Sequence, residues 1–451
     1  MGTLSDDTVR LVKSTAPALK VHGGAVVEGF YALLFEKHPT AAAYFNVGPT
    51  DGAGGRRGQS KAPIQRLGMA VLFYAESIDK LDTLGPVLER ISAKHVSRSI
   101  PNEFYPIIGS CLLQSIGTVL GEAASPAVIG AWTEAYGFLA DALMATEAKI
   151  AARLAASASG WTGYAPFVVA SVTKEAVPPP GRAASLVLRP AGWADGRAPV
   201  APAWKAGHYV GLRVPVPASA GGGDDDAAGA VTRRTLFVTS PPAAADLRVT
   251  LVAGPDVPAD PVVEALMNYT PGTGVEVSAP LGSFTWDSPV LGTCLPDAPA
   301  VFVTSVPGLP EVATMVRAAL TAGRAVTLVR LVTGAGADAP AVEQLLGAEL
   351  AAAGDESPGD LRQLVIGTVA DVPAAVGAGV AAAAEFFVAA TPPTLAGAVR
   401  DELVGGGRYP WSACATPATC RLEGDWASRV GPVLCGGVWG SEFGSGVSTW
   451  G

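Results

Sequence analysis

The chain has 451 residues, 49% of them hydrophobic and 16% charged, with a formal net charge of -9. That is the composition of a folded protein, and the length predicts about three domains of ordinary size. The acidic balance excludes a nucleic-acid partner, which needs a basic surface to meet phosphate. Five cysteines, odd in number and without CxxC spacing, exclude a disulfide framework and a cysteine zinc site. The start, MGTLSDDT, lacks the basic and apolar segments of a secretory signal. The most apolar run, 374–390, is mostly Ala and Gly and is interrupted by Glu385. Both features predict a cytoplasmic protein with no integral membrane association.

The first 155 or so residues read as helix. Ser5 caps the first helix, with Asp6 and Asp7 at its positive end and Leu4 and Val9 as a staple across the cap. Gly23-Gly24 predicts a break, after which Val27, Tyr31 and Leu34 share one face. The Gly-rich stretch 47–58 has no periodicity and predicts a long loop, and the helix pattern resumes at 65–75. In LGPVLERISAKHVS, the residues Leu84, Val87, Leu88, Ile91 and His95 fall on one face, so an imidazole closes an otherwise apolar stripe. Tyr105, Ile108, Leu112 and Val119 mark the next helical face. Ser125-Pro126 then opens a last helix carrying Trp132, Tyr136, Leu139 and Leu143 inward, with Glu147 on the same stripe.

His95, Tyr105 and Glu147 are thus three polar side chains aimed at one small core. The economical way to satisfy them is with one another. A histidine oriented in this manner is either a satisfied core residue or a metal-ligating imidazole with its supporting partners. The chain has four histidines, and His22, His38 and His208 sit beside glycines or at a helix end, less suited to chemistry.

The runs FYALLFEKHP, AYFN, LERISAKHVS, FYPIIG and SPAVIGAWTEAYGFLADALM resemble the haem-globin domain of the flavohaemoglobins over residues 1–153. This resemblance implies that His95 is the proximal haem-iron ligand and that Tyr105 and Glu147 form its network. It also implies that Tyr31 is the distal tyrosine that hydrogen-bonds oxygen, with Phe45 and Leu67 lining the haem pocket. The position of the family's distal Gln is taken by Pro63, which has no side-chain donor, so either Gln59 or Gln65 is recruited in its place or Tyr31 alone stabilises the ligand.

Residues 154–164 read as a linker. Six strand-like segments follow within 165–290 and predict an antiparallel barrel interrupted by a solvated insertion, 218–231. Residues 296–404 alternate strands and helices, which predicts a parallel sheet, and 405–451 form an atypical tail without periodicity. The expected fold is therefore multi-domain: an all-α globin, an antiparallel β-barrel and an α/β parallel sheet. This order resembles the ferredoxin-reductase-like module that completes a flavohaemoglobin, and so implies FAD on the barrel and NAD(P)H on the parallel sheet. The flavin motif Arg-x-Tyr-Ser appears as Arg234-Thr235-Leu236-Phe237, and Gly207-His208-Tyr209 resembles a second flavin contact, leaving Arg234 and Tyr209. A later phosphate-side turn appears as the proline-bearing VPADPVVEAL. The nicotinamide-side turn keeps Gly308 and Pro310, and the later Cys-Gly-Pro appears as Ala389-Ala390-Thr391.

The resemblance implies haem b, FAD and NAD(P)H as cofactors, and oxygen and nitric oxide as substrates of a dioxygenase that forms nitrate. The altered reductase motifs leave an alternative: a haem protein that binds or senses these gases, with a flavin-free scaffold and an external reductase as partner.

Overall fold

The structure is a computed structural model that describes residues 3–45, 48–49, 57–58, 61–80, 84–157, 161–176, 182–200, 202–215, 231–242, 244–253, 261–282, 285, 299–305, 308–331, 350, 359–371, 385–389 and 414–415. The chain divides into two compact units, Met1–Ser157 with Arg213–Arg233, and Ala158–Leu212 with Arg234–Gly451. The expected barrel and parallel sheet thus fall largely in one unit.

The first unit contains α1 (Asp6–Ser14), α2 (Ala16–Lys37), α3 (Lys61–Ser77), α4 (Gly85–Arg98), α5 (Phe104–Leu120) and α6 (Pro126–Ala156). The caps are those expected. Ser5 Oγ accepts the Thr8 amide at 3.1 Å, and Ser125 Oγ accepts that of Val128 at 3.3 Å, with Pro126 in the first turn of α6. The Gly-rich stretch holds a two-residue ladder, β1 (Gly48–Pro49) with β2 (Arg57–Gly58); the rest of it lies outside the described residues.

Gly23-Gly24 does not break the chain: α2 runs through both residues. Their use is in packing. A Cβ on Gly68 of α3 would lie 3.0 Å from the Gly23 backbone, so the two helices cross with main chain against main chain. α2 and the helical stretch Phe104–Ala123 are long and apolar enough to cross a membrane by length and composition. In the fold they pack against each other, and Val26, Val27, Phe30, Leu34, Leu112 and Ile116 join one core with Trp132 and Ala135 of α6.

Largely in the second unit, apart from the end of β5 and the start of β6, the strands β3 (Tyr164–Ala176), β4 (Arg182–Pro190), β5 (Tyr209–Pro215), β6 (Val231–Phe237), β7 (Leu247–Ala253) and β8 (Gly274–Ser278) form a sheet ordered β6-β5-β8-β3-β4-β7. Its β3–β4, β3–β8 and β4–β7 pairings are antiparallel. The sheet curls until Val238, just beyond β6, bridges Val249 of β7. The expected linker is partly structural: Trp161 is buried and its indole N–H donates to the Val277 carbonyl at 3.1 Å. The insertion 218–231 lies outside the described residues except for Val231, which begins β6. Of the segment VPADPVVEAL, residues 261–266 lie in a short helix, α7 (Pro261–Met267), and 257–260 lie outside the described residues.

The strands β9 (Ala300–Ser305), β10 (Val326–Leu331), β11 (Leu361–Ile366), β12 (Glu385–Ala389) and β13 (Cys414–Ala415) form an all-parallel sheet ordered β11-β10-β9-β12-β13. β13 comes from the stretch expected to be an aperiodic tail, and at two residues it is too short to carry a pattern. One helix, α8 (Leu309–Thr321), packs on β9. Ala183 and Val252 of the curled sheet, with Ala206 in the turn before β5, contribute to the core beneath α8, which is why the two parts form one unit.

Candidate functional site

The last turn of α4, the first turn of α5 and the C-terminal half of α6 bring His95, Tyr105 and Glu147 together. His95 Nδ1 lies 2.7 Å from Glu147 Oε1 and 2.9 Å from the Tyr105 hydroxyl oxygen. The Tyr105 hydroxyl donates to the same Glu147 oxygen. The consistent assignment is one carboxylate oxygen accepting two donors, the phenol and Nδ1–H. Nε2 is then the ring nitrogen left with a lone pair, as a metal-ligating histidine requires.

The surroundings hold this arrangement in place. Glu147 is only 6% exposed, and His95 is partly open, with 26% of its side chain accessible. Burial first, and the neighbouring Glu147 second, push the Tyr105 phenol far above its ordinary value, so it acts as a permanent donor. The Tyr136 hydroxyl donates to the Tyr105 carbonyl at 2.7 Å, and its ring lies on Gly109, where a Cβ would come within 2.4 Å of the ring carbon Cε1. Leu88, Ile91, Leu139 and Met144 pack with Ala140 and Leu143 around Tyr105.

An aromatic wall occupies another part of the same unit. The buried Tyr31 stacks on Phe35 at 5.6 Å between centroids and meets Phe45 edge-on at 5.6 Å; Phe35 and Phe45 are 5.8 Å apart. Leu67 packs into the same core. Leu88 belongs to this core and to the cluster around Tyr105, so the two halves of the site share a side chain. Gln59 lies outside the described residues; Pro63 and Gln65 are on α3, but their side chains lie outside them. Among the described residues no three His, Cys, Asp or Glu side chains gather as metal ligands. A single imidazole, with a tyrosine-bearing apolar wall in the same unit, is a donor set that suits a haem.

The remaining histidines play no such part. His22 is exposed, His38 ends α2, and His208 Nδ1 accepts the Lys205 amide at 3.3 Å. One residue with a role here was not singled out from the sequence as part of the site: Tyr136, a core position whose partner is a backbone carbonyl that no side-chain pattern signals.

In the second unit, Tyr209 and Arg234 are buried on β5 and β6, which are neighbours in the sheet. Tyr209 exchanges backbone hydrogen bonds with Leu281 at 2.8 and 2.9 Å, and its ring lies against Phe237 and Gly282. Gly308 precedes α8, and Pro310 is in its first turn. Among the described residues of that turn, two amides are already bonded and Pro310 offers none. The Gly308 N–H donates to Ser305 O and the Glu311 N–H to Gly308 O, each at 3.1 Å; Pro310 has none, and the Glu311 side chain is buried there.

The globin family profile matches residues 28–143. The chain is similar to the flavohemoprotein of Bordetella parapertussis, 37% identical over 286 residues, which cover 63% of this chain and 65% of that protein. It is also similar to the flavohemoprotein of Chromobacterium violaceum, 42% identical over 210 residues, 47% of this chain and 48% of that one. The chain thus spans less than two thirds of the length of each of these relatives. The flavohemoglobin of Malassezia yamatoensis, a structure with bound FAD and heme, superimposes with a TM-score of 0.70 at 19% identity, over 92% of this chain and 99% of that one. At that identity the likeness establishes the fold.

A helical globin followed by a curled antiparallel sheet and a parallel sheet defines the class: a globin joined to a reductase-like module. His95, Tyr105 and Glu147 gather on α4, α5 and α6 of the helical part. Within that class, the chain is similar to the flavohaemoglobins over the stretches just given.

Proposed function

We propose that the chain is a haem-dependent nitric oxide dioxygenase, converting nitric oxide and oxygen to nitrate with electrons drawn from NAD(P)H through FAD. The observation that carries this reading is the sharing of one Glu147 oxygen by His95 Nδ1 and the Tyr105 hydroxyl. Haem, when bound, supplies the redox-active iron at which the two gases meet. The chain's own residues do the rest. Glu147 makes the imidazole more basic by accepting its proton-bearing nitrogen, and Tyr105 keeps the carboxylate in position. Tyr31 is the hydrogen-bond donor to oxygen in this reading, and Phe35 and Phe45 keep water from it. Leu67, with Gln59 or Gln65, completes the haem pocket. Tyr209 and Arg234 are the flavin contacts, and Gly308 and Pro310 mark the nicotinamide side.

The α8 turn favours a second reading. With its Gly308 and Glu311 amides already bonded and no N–H at Pro310, the chain acts as a haem protein that binds or senses the gases and is reduced by a separate protein. The two readings separate in one experiment. The full chain is expressed with haem and FAD supplied, its absorption spectrum is recorded, and nitrate is measured after adding NADPH, oxygen and nitric oxide. Retained flavin with NADPH-dependent nitrate is the result expected for the dioxygenase. Haem without flavin, and nitrate only with an added reductase, supports the second reading, and absence of haem sinks both. His95→Ala is expected to abolish haem retention; a variant that keeps its haem overturns the assignment of the ligand.

A further inference from the structure

Three residues beyond His95, the last residue of α4 is Arg98, and only 2% of it is exposed. A basic residue at a helix C-terminus ordinarily sits in solvent, where it complements the helix dipole. Burying a guanidinium is costly unless its donors are used. Arg98 Nη1 donates at 2.9 Å to the carbonyl of Tyr44, the end of the 3-10 turn Pro39–Tyr44.

That carbonyl belongs to the peptide plane joining Tyr44 to Phe45, and the two side chains go to different places. The Tyr44 ring packs 5.2 Å from Phe104, at the start of α5 beside Tyr105. The Phe45 ring meets Tyr31 and Phe35 on α2. A single peptide unit thus connects the histidine side of the site to the tyrosine side, and Arg98 grips it at its middle. The grip has a fixed base. Ser99 turns left-handed at φ 51°, its amide bonds to Val96 O at 3.0 Å, and the Ile100 amide bonds to His95 O at 3.1 Å, which closes the helix directly behind Arg98.

We infer that Arg98 is a positioning residue for the distal wall: by holding the Tyr44–Phe45 peptide plane it sets Phe45 against Tyr31, and with it how firmly a diatomic ligand is retained there. The inference rests on the haem-globin reading. It assigns to a residue of the proximal helix an effect on the distal pocket that leaves the histidine network alone.

The test uses the full chain loaded with haem, as wild type, Arg98→Met, Arg98→Gln, Tyr31→Phe and the Arg98→Met/Tyr31→Phe double variant. Carbon monoxide is the probe. The C–O stretching band and the dissociation rate report the distal side, and the iron–histidine Raman line of the ferrous protein reports the proximal side. Arg98→Met is expected to broaden or shift the C–O band and to speed dissociation on the order of tenfold, the size of one hydrogen bond's net effect. The iron–histidine line should stay where it is. Arg98→Gln, which keeps a donor, should move the distal readouts less. Because Arg98 acts through the Tyr31 wall, its effect should largely vanish in the Tyr31→Phe background. Unchanged distal readouts, a displaced iron–histidine line, or fully additive effects in the double variant would each overturn the inference. So would failure of both Arg98 variants to hold haem when the wild type does, since Arg98 would then support the pocket as a whole. A wild type that takes up no haem removes the underlying reading instead.

Discussion

The behaviour of the site turns on a few side chains whose partners fix their chemistry. Glu147 is the acceptor on which both His95 and Tyr105 depend, and partners of this kind typically matter by ten- to a hundredfold in metal affinity or activity. Glu147→Gln is therefore expected to lower haem affinity or turnover on about that scale and to lower the iron–histidine Raman frequency. Tyr105→Phe, which spares the carboxylate, should do less. Tyr74, Tyr105 and Tyr136 are all raised above the ordinary phenol value of 10.0, in each case chiefly by burial. Unfolded, these phenols ionise near that value; folded, they keep their protons to higher pH. The folded state thus binds more protons in alkali, and the associated stability is whole below about pH 10 and lost as pH rises through the folded values. Denaturant midpoints measured from about pH 8 to pH 11 should fall at the alkaline end. Tyr74→Phe should flatten that fall, while costing about 1 kcal/mol at neutral pH because the Ala135 carbonyl loses its 2.7 Å donor.

At the level of helices, two adjacent glycines have opposite meanings. Gly24 has nothing within 4 Å of the position of a Cβ, so Gly24→Ala should stabilise α2 by about 0.5–1 kcal/mol through helix propensity alone. The Gly23 side meets α3, and Gly68→Ala would drive a methyl to 3.0 Å from backbone atoms that cannot rotate away. A loss of roughly 1–3 kcal/mol is expected there, read from thermal or denaturant midpoints, with faster ligand release because α3 also carries Leu67. The sequence shows the pair Gly23-Gly24 but not its partner Gly68, forty-odd residues on, so it reads as a break. His95 was legible for the opposite reason. An imidazole on a helical stripe of Leu and Ile, with Tyr and Glu on two other stripes, is a local periodic signal. Arg98 and Tyr136 were not, because each bonds to a backbone carbonyl of another segment, and carbonyls leave no mark in a sequence.

For the whole molecule, the order of helical, antiparallel and parallel parts was readable from the change in hydrophobic period, whereas the core shared by the two sheets was not. The curled sheet and the parallel sheet share a core through Ala183, Ala206 and Val252, and polar bonds strengthen the join. The Gly207 amide donates to Thr314 Oγ1 at 3.0 Å, and Arg317 bonds the Thr239 carbonyl. The barrel and α8 should accordingly unfold together, with amides of β7 and α8 exchanging hydrogen at similar free energies. Thr314→Val, which strands the buried Gly207 amide, should lower that common value by about 1–3 kcal/mol; a loss confined to α8 would argue for two independent domains. The bridge from Val238 to Val249 has a further consequence. By bringing the two ends of the curled sheet together it removes two open flanks on which another chain could build. Among the described residues of the parallel sheet, β11 and β13 each pair on one side only and are the edges where such addition would begin; on β11 the exposed Arg362 sets a charge against it.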